Sequence, residues 1–145
     1  MPMWQAADSP YSPAVGREQI EIVKRALDAW NRGDVDAMVA ETAPDAEYAI
    51  AEQNPNARLL HGRDEIADYL RDWHDTIHGL HYQPEQVRDA GDAVVVLGTM
   101  SGRVGSDDGP ELTAELGFVL WFDGNVVVRA EEYLDLRDAR AAAGL

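Results

Sequence analysis

The chain has no cysteine at any of its 145 positions. That absence removes disulfides, thiolate nucleophiles and thiolate metal ligands together, while leaving the compartment open. Positive charge is scarce: 12 Lys and Arg stand against 27 Asp and Glu, a formal net charge of -15. A field of that sign repels phosphate backbones and anionic lipid heads, so neither nucleic acid nor a membrane surface is expected as a partner. Between Asp34 and Glu52 there are six carboxylates and no basic residue. No apolar run is long enough to span a bilayer, and residues 1–8 lack the charged and apolar regions of a signal peptide, so a cytoplasmic location is expected. Repeats and low-complexity tracts are also missing. What is present is the balance of a folded protein, 46% hydrophobic and 27% charged, at a length that suits one domain.

Residues 1–12 hold two prolines and no periodicity and read as a flexible arm. Ser12-Pro13 supplies a capping hydroxyl and a first helical residue whose missing N–H costs nothing there. Ile20, Val23, Leu27 and Trp30 then follow helical spacing. Asn31-Arg32-Gly33-Asp34 stops that helix and caps a short second one carrying Val35, Met38 and Val39. Ala46 to Ala51 reads as a short strand, and Asn54-Pro55-Asn56 as a turn. The spacing of Ile66, Leu70, Trp73 and Ile77 predicts a third helix from Arg63 to His78, ended by Gly79. Four strand-like runs follow, Leu80 to Arg88, Ala93 to Arg103, Glu111 to Phe122 and Val126 to Leu136, joined by turn-forming residues. Helices first and an antiparallel meander afterwards is an α+β order. The domain is expected to span residues 13–137, with 138–145 as a tail.

The Asp123-Gly124 pair predicts a register. As a two-residue hairpin loop it sets Phe122 opposite Asn125, Val119 opposite Val128 and Glu115 opposite Glu132. Two carboxylates directly across adjacent strands are costly unless water, a cation or a shared proton relieves them. One face of this hairpin then carries Leu112, Leu116, Phe118 and Leu120, an apolar patch large enough to suggest a homodimer through the outer sheet face. A similar turn at Asp89 to Asp92 sets His81 beside Met100. His74-Asp75-Thr76-Ile77-His78 has the i,i+4 spacing of a helical zinc pair, but Asp is shorter than the usual Glu and Gly79 follows at once, so no metal site is expected.

The order of motifs resembles the SnoaL-like branch of the nuclear transport factor 2-like (ketosteroid-isomerase-like) superfamily. It is carried by Asn31-Arg32-Gly33-Asp34 between helices, Asp45-Ala46-Glu47-Tyr48, His61-Gly62-Arg63-Asp64-Glu65-Ile66 opening a helix, and Phe122-Asp123-Gly124-Asn125-Val126-Val127 followed by Glu131-Glu132-Tyr133-Leu134-Asp135. The ending Ala142-Ala143-Gly144-Leu145 is also similar. The resemblance runs from Gln19 to the C-terminus. It implies a cone, a strongly bent, mostly antiparallel sheet closed by three helices around an internal pocket, and often a dimer.

The family's chemistry transfers only residue by residue. Where ketosteroid isomerases use a Tyr and an Asp, this chain has Ala26 and Ile50. Where epoxide hydrolases of the superfamily use an Arg and an Asp, it has Gly98 and Met100, while Glu132 matches their other Asp and Tyr48 their Tyr. The resemblance alone places Glu132 inside the cone. Glu132 and Glu115 are therefore the expected catalytic pair, sharing one proton and serving as acid and base on a carbonyl-activated carbon. Trp30, Tyr48, Tyr69, Trp73, His81, Met100 and Leu134 are the expected ligand-binding residues. The expected function is binding of an apolar small molecule, with acid/base chemistry of the isomerase, cyclase or hydratase type at Glu132, or else a non-catalytic binding or accessory module. No cofactor is expected.

Overall fold

The computed structural model describes residues 16–145; the expected arm and the Ser12-Pro13 helix start lie outside them. Helix α1 spans Arg17–Asn31, α2 Val35–Met38, and strand β1 Thr42–Ala49. Strand β2, Leu59–His61, leads into α3, Arg63–Thr76. Strands β3 (Ile77–Asp89), β4 (Ala93–Val104), β5 (Glu111–Asp123) and β6 (Val126–Tyr133) follow, and α4, Leu136–Ala142, ends the chain. The curved six-stranded sheet runs β2-β1-β6-β5-β4-β3 and does not close into a barrel. Among the described residues only the β1–β6 pair is parallel. This is the expected α+β cone.

Helices α1 and α3 lie on the inner face of the sheet because each carries one apolar stripe. Val23, Leu27 and Trp30 from α1 and Ile66 and Leu70 from α3 are buried with Ala46, Tyr48, Tyr82, Val94, Val96 and Met100 from the strands. Each fully buried aliphatic side chain here contributes about 1.5–3 kcal/mol. Two polar clamps orient α1. At its start Gln19 donates to Gly124 O at 3.0 Å and Asn125 Oδ1 at 3.2 Å. At its end Asn31 accepts from Tyr82 N–H at 2.7 Å and donates to Tyr82 O at 2.9 Å, pinning the helix to β3.

Several expectations need correction. The third helix stops at Thr76, and Ile77 and His78 already belong to β3; Gly79, at φ +64°, sits in a bulge of that strand. Leu136–Ala142, expected as the end of a strand and a tail, forms α4, started by Asp135, whose carboxylate accepts from Arg137 N–H at 2.8 Å. The β5–β6 turn is centred on Gly124-Asn125, with Asp123 opposite Val126, and a bulge follows beyond Phe122. Gly124 takes φ +62° at the first central position of this turn, where glycine carries no Cβ penalty. Together these set Phe118 opposite Glu132, while Glu115 lies opposite Thr99 on β4.

That offset is an odd number of residues, so it exchanges the two faces of the strand. Leu112, Leu116, Phe118 and Leu120 therefore pack into the core and do not form the outer apolar patch from which the homodimer was expected. The outer face at β4 and β5 instead carries Ala93, Val95, Leu97 and Val119, covered by Ala139 and Leu136 of α4. The helix lies so close that a Cβ on Gly117 would come within 2.9 Å of Ala139 Cβ. The β3–β4 register differs in the same way: His81 pairs with Ser101 and is exposed, and Tyr82 takes the place beside Met100.

Candidate active site around Glu132

Glu132 is the buried charged residue of the cone, 3% exposed. It reaches the inner face because β6 alternates strictly from Arg129 to Tyr133 against β5, putting Ala130 and Glu132 inward with Leu120 and Phe118. Three donors converge on its carboxylate. The Tyr48 hydroxyl, from β1, donates to Oε1 at 2.7 Å. The Tyr69 hydroxyl, from α3, lies 2.9 Å from Oε1 and 3.1 Å from Oε2. The Ala51 N–H, just past β1, donates to Oε2 at 3.1 Å. Among the described residues no Lys, Arg or His forms an ion pair with Glu132.

A carboxylate taken from water without a counter-charge holds its proton more tightly. Burial pushes the Glu132 carboxyl above its usual value of 4.5, and the hydrogen bonds from Tyr48, Ala51 and Tyr69, which favour the ionised form, offset this only in part. The two phenols respond in kind. Burial first and the adjacent Glu132 charge second push Tyr48 well above the usual tyrosine range and Tyr69 up as well. Both tyrosines therefore stay protonated and serve as donors.

Aromatic rings wall the site. Tyr48 and Tyr69 lie with ring centroids 5.5 Å apart, and Trp73 meets Tyr69 edge-on at 6.3 Å. Trp30, Trp73, Tyr82, Phe118 and Glu132 line a small chamber of about 20 Å³, enough for one water. Tyr82 fills much of the space beside it. Its hydroxyl donates to Leu116 O at 2.6 Å, and its ring crosses the strand at Gly98, where a Cβ would lie 2.8 Å from that hydroxyl and 2.3 Å from Gln83 O. An adjoining cavity of about 80 Å³ lies between α1, α2 and the sheet, bounded by Ile22, Ala26, Val39 and Ala46 among others.

The structure brings together Glu132, Tyr48, Tyr69, Trp30 and Trp73. It does not bring Glu115 or His81 to them: both are exposed on the outer face, so the expected carboxylate pair is replaced by one carboxyl with two phenols. Met100 is buried in the core beside Tyr82, and Leu134 is half-buried against the core; neither lines the chamber. His74 packs against Trp30 at a tilt of 59° with centroids 4.3 Å apart, its Nε2 without a hydrogen-bond partner, and burial lowers its pKa. His78 stands on a different element and meets Asp107 at 3.1 Å. Sequence reading missed Tyr82 and Phe118, whose inward orientation depends on the two shifted registers, and the Ala51 N–H, which no side-chain pattern signals.

Solved structures share this architecture. An NTF2-like protein of unknown function from Burkholderia pseudomallei is 21% identical over 90% of this chain and 100% of its own, with a TM-score of 0.73. An NTF2-like protein from Burkholderia thailandensis is 27% identical over 90% of this chain and 99% of its own, also at 0.73. A protein with a ketosteroid isomerase-like fold from Catenulispora acidiphila, solved in complex with trimethylamine, is 21% identical over 86% and 93% of the two chains, at 0.69. No curated protein matches the chain. The SnoaL-like domain model matches residues 23–130, which run from within α1 into β6, include α2, α3, the whole β3–β5 meander and the inward-facing Tyr48 and Tyr69, and stop two residues short of Glu132. The chain belongs to the SnoaL-like domain family of the NTF2-like superfamily, whose members often bind or transform small molecules.

Proposed function

We propose that the chain is a cytoplasmic protein that binds a small, largely apolar molecule in the cone and moves a proton at Glu132. The observation that carries this reading is a carboxyl 3% exposed, with no basic partner among the described residues and with two phenols bonded to it. Burial raises the proton affinity of the carboxyl toward the range useful at neutral pH. In the ionised form Glu132 accepts a proton from a carbonyl-activated carbon. Tyr69, half-buried and already oriented, is the group positioned to donate to the oxygen that gains charge. Isomerisation, cyclisation and hydration all share this proton movement.

A second reading is favoured by the missing counter-charge. A buried carboxylate walled by Trp30, Trp73, Tyr48 and Tyr82 is a suitable seat for a cationic amine head, since aromatic faces attract cations. The trimethylamine complex of the Catenulispora protein supports this chemistry for a related fold. In this reading the module binds without catalysis.

The test is thermal stabilisation by a panel of small carbonyl compounds and amines, repeated with Glu132→Gln. Turnover abolished with binding retained supports proton transfer, because only the transition state needs the carboxylate. Amine-selective stabilisation lost in the variant, with no turnover in either form, supports the binding module. Equal behaviour of both proteins toward every compound overturns both readings.

A further inference from the structure

Two adjoining spaces in the cone differ in kind. The small chamber carries the Glu132 carboxyl and aromatic walls. The larger cavity, about 80 Å³, is bounded chiefly by aliphatic side chains of α1, α2, α3 and the sheet. Its solvent side is marked by Glu41, exposed, and Thr42, half-buried, at the start of β1. The two spaces share five wall residues: Leu27, Met38, Tyr48, Leu70 and Phe118.

Four of those five are held in place. Leu27, Tyr48 and Leu70 are buried, Tyr48 is bonded to Glu132, and Phe118 packs edge-on against Tyr82 at 5.8 Å. Met38 differs. It is half-buried, it ends a helix of only four residues, and it is unbranched with three rotatable bonds. It is the wall residue able to move at little cost.

We infer that the two spaces form one ligand site divided by Met38, in which the larger cavity seats the hydrocarbon body of the ligand and the Glu132 chamber takes a single polar head. This rests on the reading that Glu132 faces the ligand. The ligand class follows from the walls. The body is a short unbranched chain or a group no larger than one ring, because the cavity measures only about 80 Å³ and its lining away from Glu41, Thr42 and Glu47 is chiefly aliphatic. The head is a hydroxyl, carbonyl or amino group, each able to bond a carboxyl. An anionic head is excluded, since it would meet the Glu132 carboxylate, which has no ion-pair partner among the described residues to balance a second negative charge.

The experiment uses n-alkanols from propanol to octanol as probes, with affinity read by calorimetry on the whole chain. Each methylene entering the larger cavity should strengthen binding about fourfold, until the cavity is full and the gain stops. Ala26→Leu, which places extra bulk in that cavity from α1, should move this limit to shorter chains. Its thermal unfolding midpoint without ligand, at or above that of the parent, confirms that the variant is folded and the void filled. Glu132→Gln should change affinity for every alkanol and leave the length limit where it was. A series with no length limit, or a limit unmoved by Ala26→Leu, overturns the inference whatever Glu132→Gln does. A limit that moves as expected while Glu132→Gln changes nothing supports the seat for the body and overturns the role of Glu132. The two failures are therefore distinguishable.

Discussion

Glu131 and Glu132 are neighbours with the same side-chain chemistry, and the pleat of β6 sends them to opposite faces of the sheet. On the outer face Glu131 meets Arg129 at 3.0 Å, accepts from the Tyr133 hydroxyl, and joins a network in which Arg129 also holds Glu47 at 3.0 Å. On the inner face Glu132 has two phenols and a backbone N–H but no ion-pair partner among the described residues. Both carboxylates accept from tyrosine, so hydrogen bonding does not distinguish them. The guanidinium does. A half-buried carboxylate beside Arg129 is neutralised in place, whereas the inner one must find its neutralising charge in a proton or a ligand. One residue of register therefore separates a structural ion pair from a candidate reactive group.

The largest expected difference between the faces is steric. Gly98→Ala, on the inner face, would drive a Cβ to 2.3 Å from Gln83 O and into the Tyr82 ring. That backbone atom cannot step aside, and a loss of about 3 kcal/mol is expected in chemical denaturation. Gly117→Ala, on the outer face, meets Ala139 of α4, which can shift; a loss of about 1–2 kcal/mol is expected. Loosening α4 should also expose Val95, Leu97 and Val119, so sedimentation should show more association than the parent shows at the same concentration.

Smaller differences follow for the two tyrosine–glutamate pairs. Tyr48→Phe removes a buried donor from Glu132 and should cost about 1–3 kcal/mol. Tyr133→Phe, with Arg129 still neutralising Glu131, should cost less than about 1 kcal/mol. Arg129→Met, at a side chain 35% exposed, should cost about 0.5 kcal/mol, with the difference shrinking as salt is added. Equal losses for the two tyrosine substitutions would remove the distinction between the faces.

The pH dependence carries opposite signs at two sites. For Glu132 the folded pKa lies above the unfolded value near 4.5, so its contribution is fully present below 4.5 and is lost as pH rises through the folded pKa. For Asp135, where the hydrogen bond from Arg137 holds the carboxyl down to about 2, the contribution is present above 3.8 and is lost as pH falls toward 2. Unfolding midpoints against pH should therefore lose, in Glu132→Gln, the decline that begins above 4.5 and ends as pH passes the raised folded pKa, and keep the rest of the profile.

Much of the fold was legible because the helices announce themselves by stripes such as Val23, Leu27 and Trp30, and the long strands by Val- and Leu-rich runs between turn residues. The short elements were not. Three residues of β2 carry no period, and the alanine-rich ending hid α4, although Asp135 ahead of Leu136-Arg137-Asp138 is a usable N-cap signal. Register was the costly gap: Asp123-Gly124 and Gly124-Asn125 are both acceptable hairpin centres, and the bulge after the turn is set by packing. Glu132 was placed inside by family resemblance alone, and its partners Tyr69 and Ala51 come from segments distant in sequence.

The most direct test is a carbon-13 titration of the Glu132 side-chain carboxyl in the whole protein, assigned by its loss in Glu132→Gln. A midpoint above 4.5 is expected, moving further up in Tyr48→Phe as a donor to the ionised form is lost. A midpoint at or below 4.5 would contradict it, since the donors would then outweigh burial and Glu132 would be a settled structural anion with no proton to exchange.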